Sequence, residues 1–537
     1  KEVDRLPKNN EVSFGKYFNL PNPGLKSYFD KTRAGNADEY RTTFFRGKSL
    51  DSILKMWKPT IDKLESDWPT LLDFENDLAK KVGPLSIQKP LSERLDDIDS
   101  YYDSILLEST PIPEPALKCV LKEWSNVRGI AIRSQVRTVD RMKKSTNSGC
   151  PYFSKRRVVT DKTVPCTTHY IVENLETIQN LPQYDWNSAA VLGWRGQEGG
   201  PTDEDVKQRV VWMFPYAVNI RELQFYQPAI ELAKRELLVP AWVGMDSVDV
   251  RITRLFDTKA KSDLIVCTDF SKFDQHFNVD MQNAAKYIIR GLLNSDRQSR
   301  DWLDNVFPIK YTIPLAYDWE SIRRGRHGMG SGSGGTNFDE TLVHRALQYE
   351  AAMAQKAHLN LNSMCLGDDG ILTYPGINVE DVTQVYSAHG QEMNLTKQYA
   401  SEQDCTYLRR WHHTDYRIND VCVGVYSTYR ALGRLCEQER YYDPEIWGPK
   451  MVALRQLSIL ENCKYHPFRE EFVDFCMKGD KYRLGLDIPH FLDDIDSIAQ
   501  EATDVMPDFL GYTRSLADDA QRGISNWWIV KTLKARR

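Results

Sequence analysis

The sequence has no apolar run approaching the roughly 18–20 residues needed to cross a bilayer. Its start, KEVDRLPKNN, lacks the apolar stretch of a secretory leader. No membrane partner is expected. The ten cysteines never fall into a C-x-x-C pair and are scattered through apolar context, which argues against a zinc framework and a disulfide scaffold. A reduced, cytosol-like compartment is the expectation. There is no repeat of solenoid or propeller period and no low-complexity linker. Neither sign of charge dominates: 70 Lys+Arg face 75 Asp+Glu, for a net charge of −5. The outside is therefore not a basic coat, although an internal basic channel remains compatible with that balance. What is present is ordinary globular material. The 537 residues are 41% hydrophobic and 27% charged, enough for three to four units of about 150 residues and too apolar for a disordered chain.

The first 45 residues, rich in Lys, Asn and Pro, read as an arm laid over a larger body. Helical spacing of Leu50, Ile53, Leu54 and Trp57 is interrupted by Pro59 and Pro69, which should end or kink helices. From 115 to 262 short strands, turns and basic residues alternate. Residues 264–267 (LIVC) read as a buried strand ending at Asp269. A helix is expected over 278–293, followed by a segment rich in proline and aromatics. A glycine-rich loop at 328–335 runs into a helix with Phe338, Leu342, Ala346 and Leu347 on one face. A hairpin follows, with strands Met364–Leu366 and Ile371–Tyr374 around a GDDG turn. After about 410 the pattern is mostly helical and ends in VKTLKARR.

Three aspartates carry the chemistry. Asp269 closes a strand, and Asp368 and Asp369 are expected at the hairpin tip, where an Asp-Gly step favours a tight turn. If the two strands are neighbours, the carboxylates meet within a few ångströms. Such a cluster is costly unless cations neutralise it. Oxygen donors without His or Cys suit Mg²⁺ or Mn²⁺. Two such ions would clamp the attacking and leaving oxygens of a phosphoryl transfer. Asp-Asp-Gly is also common turn chemistry, so the triplet alone decides little.

Its companions decide more. DFSKFD places Asp274 five residues beyond Asp269, and GMGSGSGGTN lies between the acidic segments. The order D-x4-D, S-G-x3-T, G-D-D resembles motifs A, B and C of viral RNA-dependent RNA polymerases. The wording DFSKFDQ, SGSGGTN, GDD is similar to their partitivirus and picobirnavirus branch. That resemblance implies an α+β right-hand fold: an antiparallel palm sheet backed by helices at 263–290 and 334–410, fingers at 46–262 and 291–333, and a mostly helical thumb at 411–537. It implies two cations at Asp269 and Asp368, assisted by Asp369. Telling ribose from deoxyribose rests on the 2′-hydroxyl, and a buried polar network rejects the analogue lacking it most strongly. Asp274, Ser331, Thr336 and Asn337 can form one. Asn337-x-x-Glu340 also reads as a capping box. Related polymerases usually carry Asn or Asp where Glu340 stands, which leaves Asn337, Asp339 and Glu340 open as the last ribose contact.

The segment VKQRVVWMFP alternates Lys207 and Arg209 against Val206, Val210 and Trp212. Two cations on one strand face suit a triphosphate. The segment resembles motif F, and Arg195 can join it. STNSGCP, with Ser148 and Gly149, resembles the template-entrance loop, where small residues let backbone approach a phosphate chain. Lys397 stands where a motif D lysine acts as general acid toward departing pyrophosphate. TYLRR resembles motif E, so Arg409 or Arg410 is expected on a nucleic-acid phosphate. Trp527, Trp528 and the four cations Lys531, Lys534, Arg536 and Arg537 offer either an initiation platform or an amphipathic closing helix. Template and nascent RNA, ribonucleoside triphosphates and a capsid protein are the implied partners, in a virion interior and the host cytoplasm. A decayed, inactive RNA-binding relative is disfavoured by the intact aspartates. A reverse transcriptase is disfavoured too, because it would carry a bulky residue at Asp274 and an aromatic-x-D-D turn.

Overall fold

The run at 264–267 becomes the strand Ile265–Thr268, buried throughout, as expected where both faces of a sheet are covered. It lies between Asp369–Leu372 and Tyr399–Ser401, with Met364–Leu366 outside Asp369–Leu372, and every pairing is antiparallel. This computed structural model describes residues 23–171, 176–181, 184–187, 189–319, 321–505 and 523–537. Gly370 pairs with Thr268 and Ile371 with Cys267. One step along the same ladder puts Asp369 opposite Asp269. The helix Val279–Leu292 follows, capped by the Asn278 side chain, which accepts the Met281 N–H.

The hairpin is tighter than the sequence reading. Leu366 pairs with Asp369, so the turn consists of Gly367 and Asp368 alone. Gly367 takes φ +58°, which glycine adopts without the steric cost borne by other residues. The turn glycine thus precedes the acidic pair. Asp369 opens the return strand, which stops at Leu372 instead of Tyr374. Behind the sheet runs the helix Thr336–Ala354. Phe338, Leu342, Ala346 and Leu347 are buried as expected, but so are Thr341, His344, Arg345 and Gln348. This is a helix enclosed on nearly every side.

A second four-stranded sheet carries the basic segment. Lys207–Met213 alternates as read, with Gln208, Val210 and Trp212 buried and Lys207 and Arg209 exposed. It pairs antiparallel with Ala190–Gln197, which runs parallel to Leu315–Asp318. Of the segment read as an arm, residues 1–22 lie outside the described residues. Helix Pro23–Ala34 buries Leu25 and Phe29 against Val191 and Ala316, and Tyr28 donates to the Leu192 carbonyl at 2.7 Å. Tyr40–Arg41 pairs with Glu437–Gln438.

Pro59 sits in the last turn of Leu50–Ile61, and Pro69 opens Pro69–Ala79 as its first residue. Ile53, Trp57, Ile61 and Leu71 share one core with Leu432, Leu457, Phe472 and Leu533. Helices Leu50–Ile61 and Pro69–Ala79 therefore pack with the last ones. The C-terminal segment is the closing helix: Trp528–Ala535 buries Ile529, Val530 and Leu533. The Glu461 carboxylate accepts the Trp528 and Ile529 N–H groups at 3.2 and 3.1 Å, satisfying donors that a helix start leaves open. Arg536 pairs with Glu470 at 2.8 Å and Arg537 with Asp493 at 3.0 Å. Leu533→Ala is expected to cost about 2–5 kcal/mol, seen as a lower urea midpoint at unchanged slope. An unchanged midpoint would mean that the helix is not part of the core.

Candidate active site

Asp269 leaves the central strand and is held by an amide that the sequence reading missed. Gln398 Oε1 accepts the Asp269 N–H at 2.7 Å, and Gln398 Nε2 donates to the Asp269 carbonyl at 2.8 Å. The Asp269 and Asp368 side chains both open to the cleft, yet the surrounding walls strip water from them. Burial raises both carboxyls. Asp368 is pushed further by the charges of Asp274 and Asp269, while Lys397, Lys81 and Lys207 restrain Asp269. Asp369 is pushed up to about 7, by burial and then by Asp368. One of its oxygens accepts the Leu408 N–H at 2.8 Å. Among the described residues no three Asp, Glu, His or Cys side chains converge to hold an ion. Asp269 and Asp368 face the cleft, and Asp369 stands beside them with one oxygen taken by the Leu408 N–H. The chemistry of that pair, hard oxygens crowded by like charge, fits Mg²⁺ or Mn²⁺.

The glycine-rich loop is moulded against the second sheet. The Ser331 hydroxyl accepts the Trp212 N–H at 3.3 Å and donates to the Val210 carbonyl at 3.4 Å. Thr336 Oγ1 donates to the Gly330 carbonyl at 3.1 Å. A Cβ on Gly332 would lie 1.6 Å from the Trp212 carbonyl oxygen, so only glycine permits this approach. Buried Glu222 accepts the Ser333 hydroxyl and the Gly334 N–H.

The capping box at Asn337 and Glu340 does not form. Gly335 is the N-cap and makes no side-chain cap. Asn337 Oδ1 instead accepts from Trp242 Nε1 at 2.8 Å. Glu340 is turned inward, and its carboxyl hydrogen-bonds Asp274. Burial, then Asp274, raises it well above the usual carboxyl range. Asp339 points elsewhere, accepting from Lys310 at 3.0 Å, Tyr226 at 2.8 Å and Tyr311 at 2.7 Å. Of the three residues left open, only Glu340 touches Asp274 by these contacts.

Cations line the facing wall. Arg195 stands directly opposite Arg209 in the ladder, and Gln197 opposite Lys207. Like charges so placed repel unless an anion joins them, and the Glu439 carboxylate lies 3.7 Å from Arg195. Arg195, Arg209, Arg409, Arg430, Arg434 and Trp527 border a cavity of about 840 Å³. Lys397 is exposed at the end of the turn Leu395–Lys397. Two expectations are corrected. Arg410 grips buried Asp249 bidentately at 2.8 and 3.1 Å and is not available to a phosphate. Ser148 and Gly149 are buried. The Ser148 hydroxyl accepts the Ser154 N–H at 3.2 Å, and the close approach that Gly149 allows is to the Phe214 carbonyl of the same chain.

The viral RNA-dependent RNA polymerase family profile matches residues 98–461. The chain belongs to that family. It is 60% identical over 530 residues to a potential RNA-dependent RNA polymerase of human picobirnavirus (strain Human/Thailand/Hy005102), covering 98% of this chain and 99% of that one. The crystal structure of the RNA-dependent RNA polymerase of a human picobirnavirus superposes with a TM-score of 0.94 at 60% identity, over 98% of this chain and 100% of that chain. Its insertion loop deletion mutant superposes at 0.92 and 58%, with the same coverage. The resemblance read from motifs A to C and the right-hand α+β fold are borne out. With the family goes the enzyme class, RNA-directed RNA polymerase, a nucleotidyltransferase.

Proposed function

We propose that this chain copies an RNA template by transferring nucleotides from ribonucleoside triphosphates to an RNA 3′ end, with two divalent cations held at Asp269 and Asp368, in replication and transcription of a double-stranded RNA virus genome. The observation that carries this reading is the crowding of Asp368 by Asp274 and Asp269, with the charges of Arg209 and Lys207 reaching the same carboxylates from the basic strand. Mg²⁺ or Mn²⁺, when bound, supplies charge neutralisation at the attacking and leaving oxygens. The chain's own residues do the rest. Arg209, Lys207 and Arg195 hold the triphosphate. Asp274, oriented by Glu340, meets the ribose, while Ser331, Thr336 and Asn337 shape the loop beneath it. Lys397 is placed to give a proton to pyrophosphate. Arg409 meets RNA phosphate. A capsid protein is the proposed partner, and the virion interior and host cytoplasm the proposed locations. Nucleotide incorporation on a defined RNA template, with and without Mg²⁺, tests the whole reading, and incorporation that ignores the cation would end it.

The division into arm 1–45, fingers 46–262 and 291–333, palm 263–290 and 334–410, and thumb 411–537 belongs to the same proposal. Three features refine it. Val248, Ile252 and Leu255 of helix Met245–Thr258 pack with Ile265, Cys267 and Ile371, which draws that helix into the palm. Strand Arg410–His413 crosses the boundary at 410. Residues 50–79 join the thumb core.

Asp274→Ala is expected to lower the preference for GTP over dGTP by about tenfold or more, because a site built to pair a hydroxyl loses its partner, and to strand the buried Glu340 carboxyl. An unchanged ratio with a lowered rate would remove Asp274 from sugar recognition.

A further inference from the structure

Thr341 and His344 are three residues apart on one helix and share a face. Both are buried, 2% and 0% exposed. Thr341 Oγ1 accepts the Gly367 N–H at 2.9 Å, and His344 Nδ1 donates to the Gly367 carbonyl at 2.8 Å. Both backbone groups of the turn residue before Asp368 are thus taken by one helix. The other side of the imidazole meets the opposite segment. Its ring stands edge-on to Phe270, the neighbour of Asp269, with centroids 5.2 Å apart at 86°. A Cβ on Gly370 would lie 2.6 Å from His344 Cε1, so the glycine after Asp369 is what lets the ring lie against the return strand. Thr341 also donates to Asn337 Oδ1 at 3.4 Å, which ties the same clamp to the loop side of the cleft.

We infer that Thr341 and His344 are positioning residues that hold the Gly367–Asp368 turn at a fixed separation from Asp269. Neither reaches the cleft, and no motif in the sequence marks them. Hydrogen bonds to both the N–H and the carbonyl of Gly367, the first residue of the two-residue turn, fix both its height and its tilt. The Phe270 contact refers that geometry to the strand bearing the other carboxylate. The inference rests on the reading that Asp269 and Asp368 hold cations.

The test uses the full chain and titrates Mg²⁺ at saturating nucleotide. Thr341→Val keeps the shape and removes the acceptor, leaving a buried N–H unpaired. It is expected to lower kcat by about 10- to 100-fold, the scale of loss for a misplaced catalytic group. The half-saturating Mg²⁺ concentration should rise severalfold, with KM for nucleotide nearly unchanged. Thr341→Ser, which keeps the hydroxyl, should restore both to within a few-fold. His344→Leu should behave as Thr341→Val does. His344→Asn, whose amide nitrogen replaces Nδ1, should recover most of the activity. These two serve if Thr341→Val does not fold. A fall in melting temperature with kcat and Mg²⁺ dependence unmoved would overturn the inference, as would Ser and Val behaving alike at 341. If Asp368→Asn run in parallel stays active, the cation reading itself has failed and the inference falls with it.

Discussion

Asp368→Asn is expected to abolish nucleotide incorporation while leaving the metal-free protein at least as stable as its parent. The two effects have one cause. Asp368 lies in a cleft where burial and the charges of Asp274 and Asp269 all oppose its ionisation. Its carboxylate therefore works against the fold until a cation neutralises it. Asparagine keeps the shape of the turn and removes the repulsion, but it also removes the charge on which transition-state stabilisation depends. Activity within a few-fold of the parent at saturating Mg²⁺ would refute the cation role, and a large drop in melting temperature would mean that the carboxylate is structural. The pH dependence has a defined sign. Asp369 has its folded-state carboxyl pushed up to about 7, above its usual 3.8. The folded state thus binds the extra proton between about pH 4 and 7. Stability of the metal-free protein should fall as pH rises through that window. The stabilisation given by Mg²⁺ should weaken as pH falls, because Asp269 and Asp368, both raised by burial, then take up protons in the cation's place.

What was legible in the sequence is what local pattern dictates. Ile265–Thr268 is apolar throughout and forms a covered strand; Lys207–Met213 alternates with period two and forms a one-sided strand. Asp269, Asp274, Asp368 and Arg209 follow from motif spacing, because that spacing is set by the chemistry. What failed was decided by partners distant in sequence. Asn337-x-x-Glu340 is a sound capping pattern, yet Glu340 turns inward to Asp274, more than sixty residues earlier in the chain. Arg410 reads as a phosphate contact, but buried Asp249 claims it. The turn gave up two residues, Asp369 and Gly370, to the return strand, because glycine at 367 is better placed for a left-handed turn than glycine at 370, which must instead admit His344. Gln398, Glu222, Thr341 and His344 carry no signature at all. They act on backbone groups, and no side-chain pattern in a single sequence records where those groups lie.

Arg209→Ala is expected to lower kcat/KM by about 10- to 100-fold for all four ribonucleotides alike, the loss that follows from removing charge-assisted hydrogen bonds worth about 1.5–3 kcal/mol. The loss is uniform because the proposed contact is with phosphate, which carries no base identity. The register sharpens this expectation beyond what alternation alone gives. Arg209 faces Arg195 across the strand pair, and the same cavity wall carries Arg409, Arg430 and Arg434. Glu439 lies 3.7 Å from Arg195, while Arg209 is exposed and faces a like charge, so the fold loses little with its guanidinium. Without nucleotide, the alanine variant should therefore melt no lower than its parent. With triphosphate present the parent should gain stability, because ligand bound only by the folded state raises its melting temperature, and the variant should gain much less. A defect confined to one base would move Arg209 from phosphate to base contact. A lower melting temperature in the absence of nucleotide would return it to the role of an ordinary strand residue.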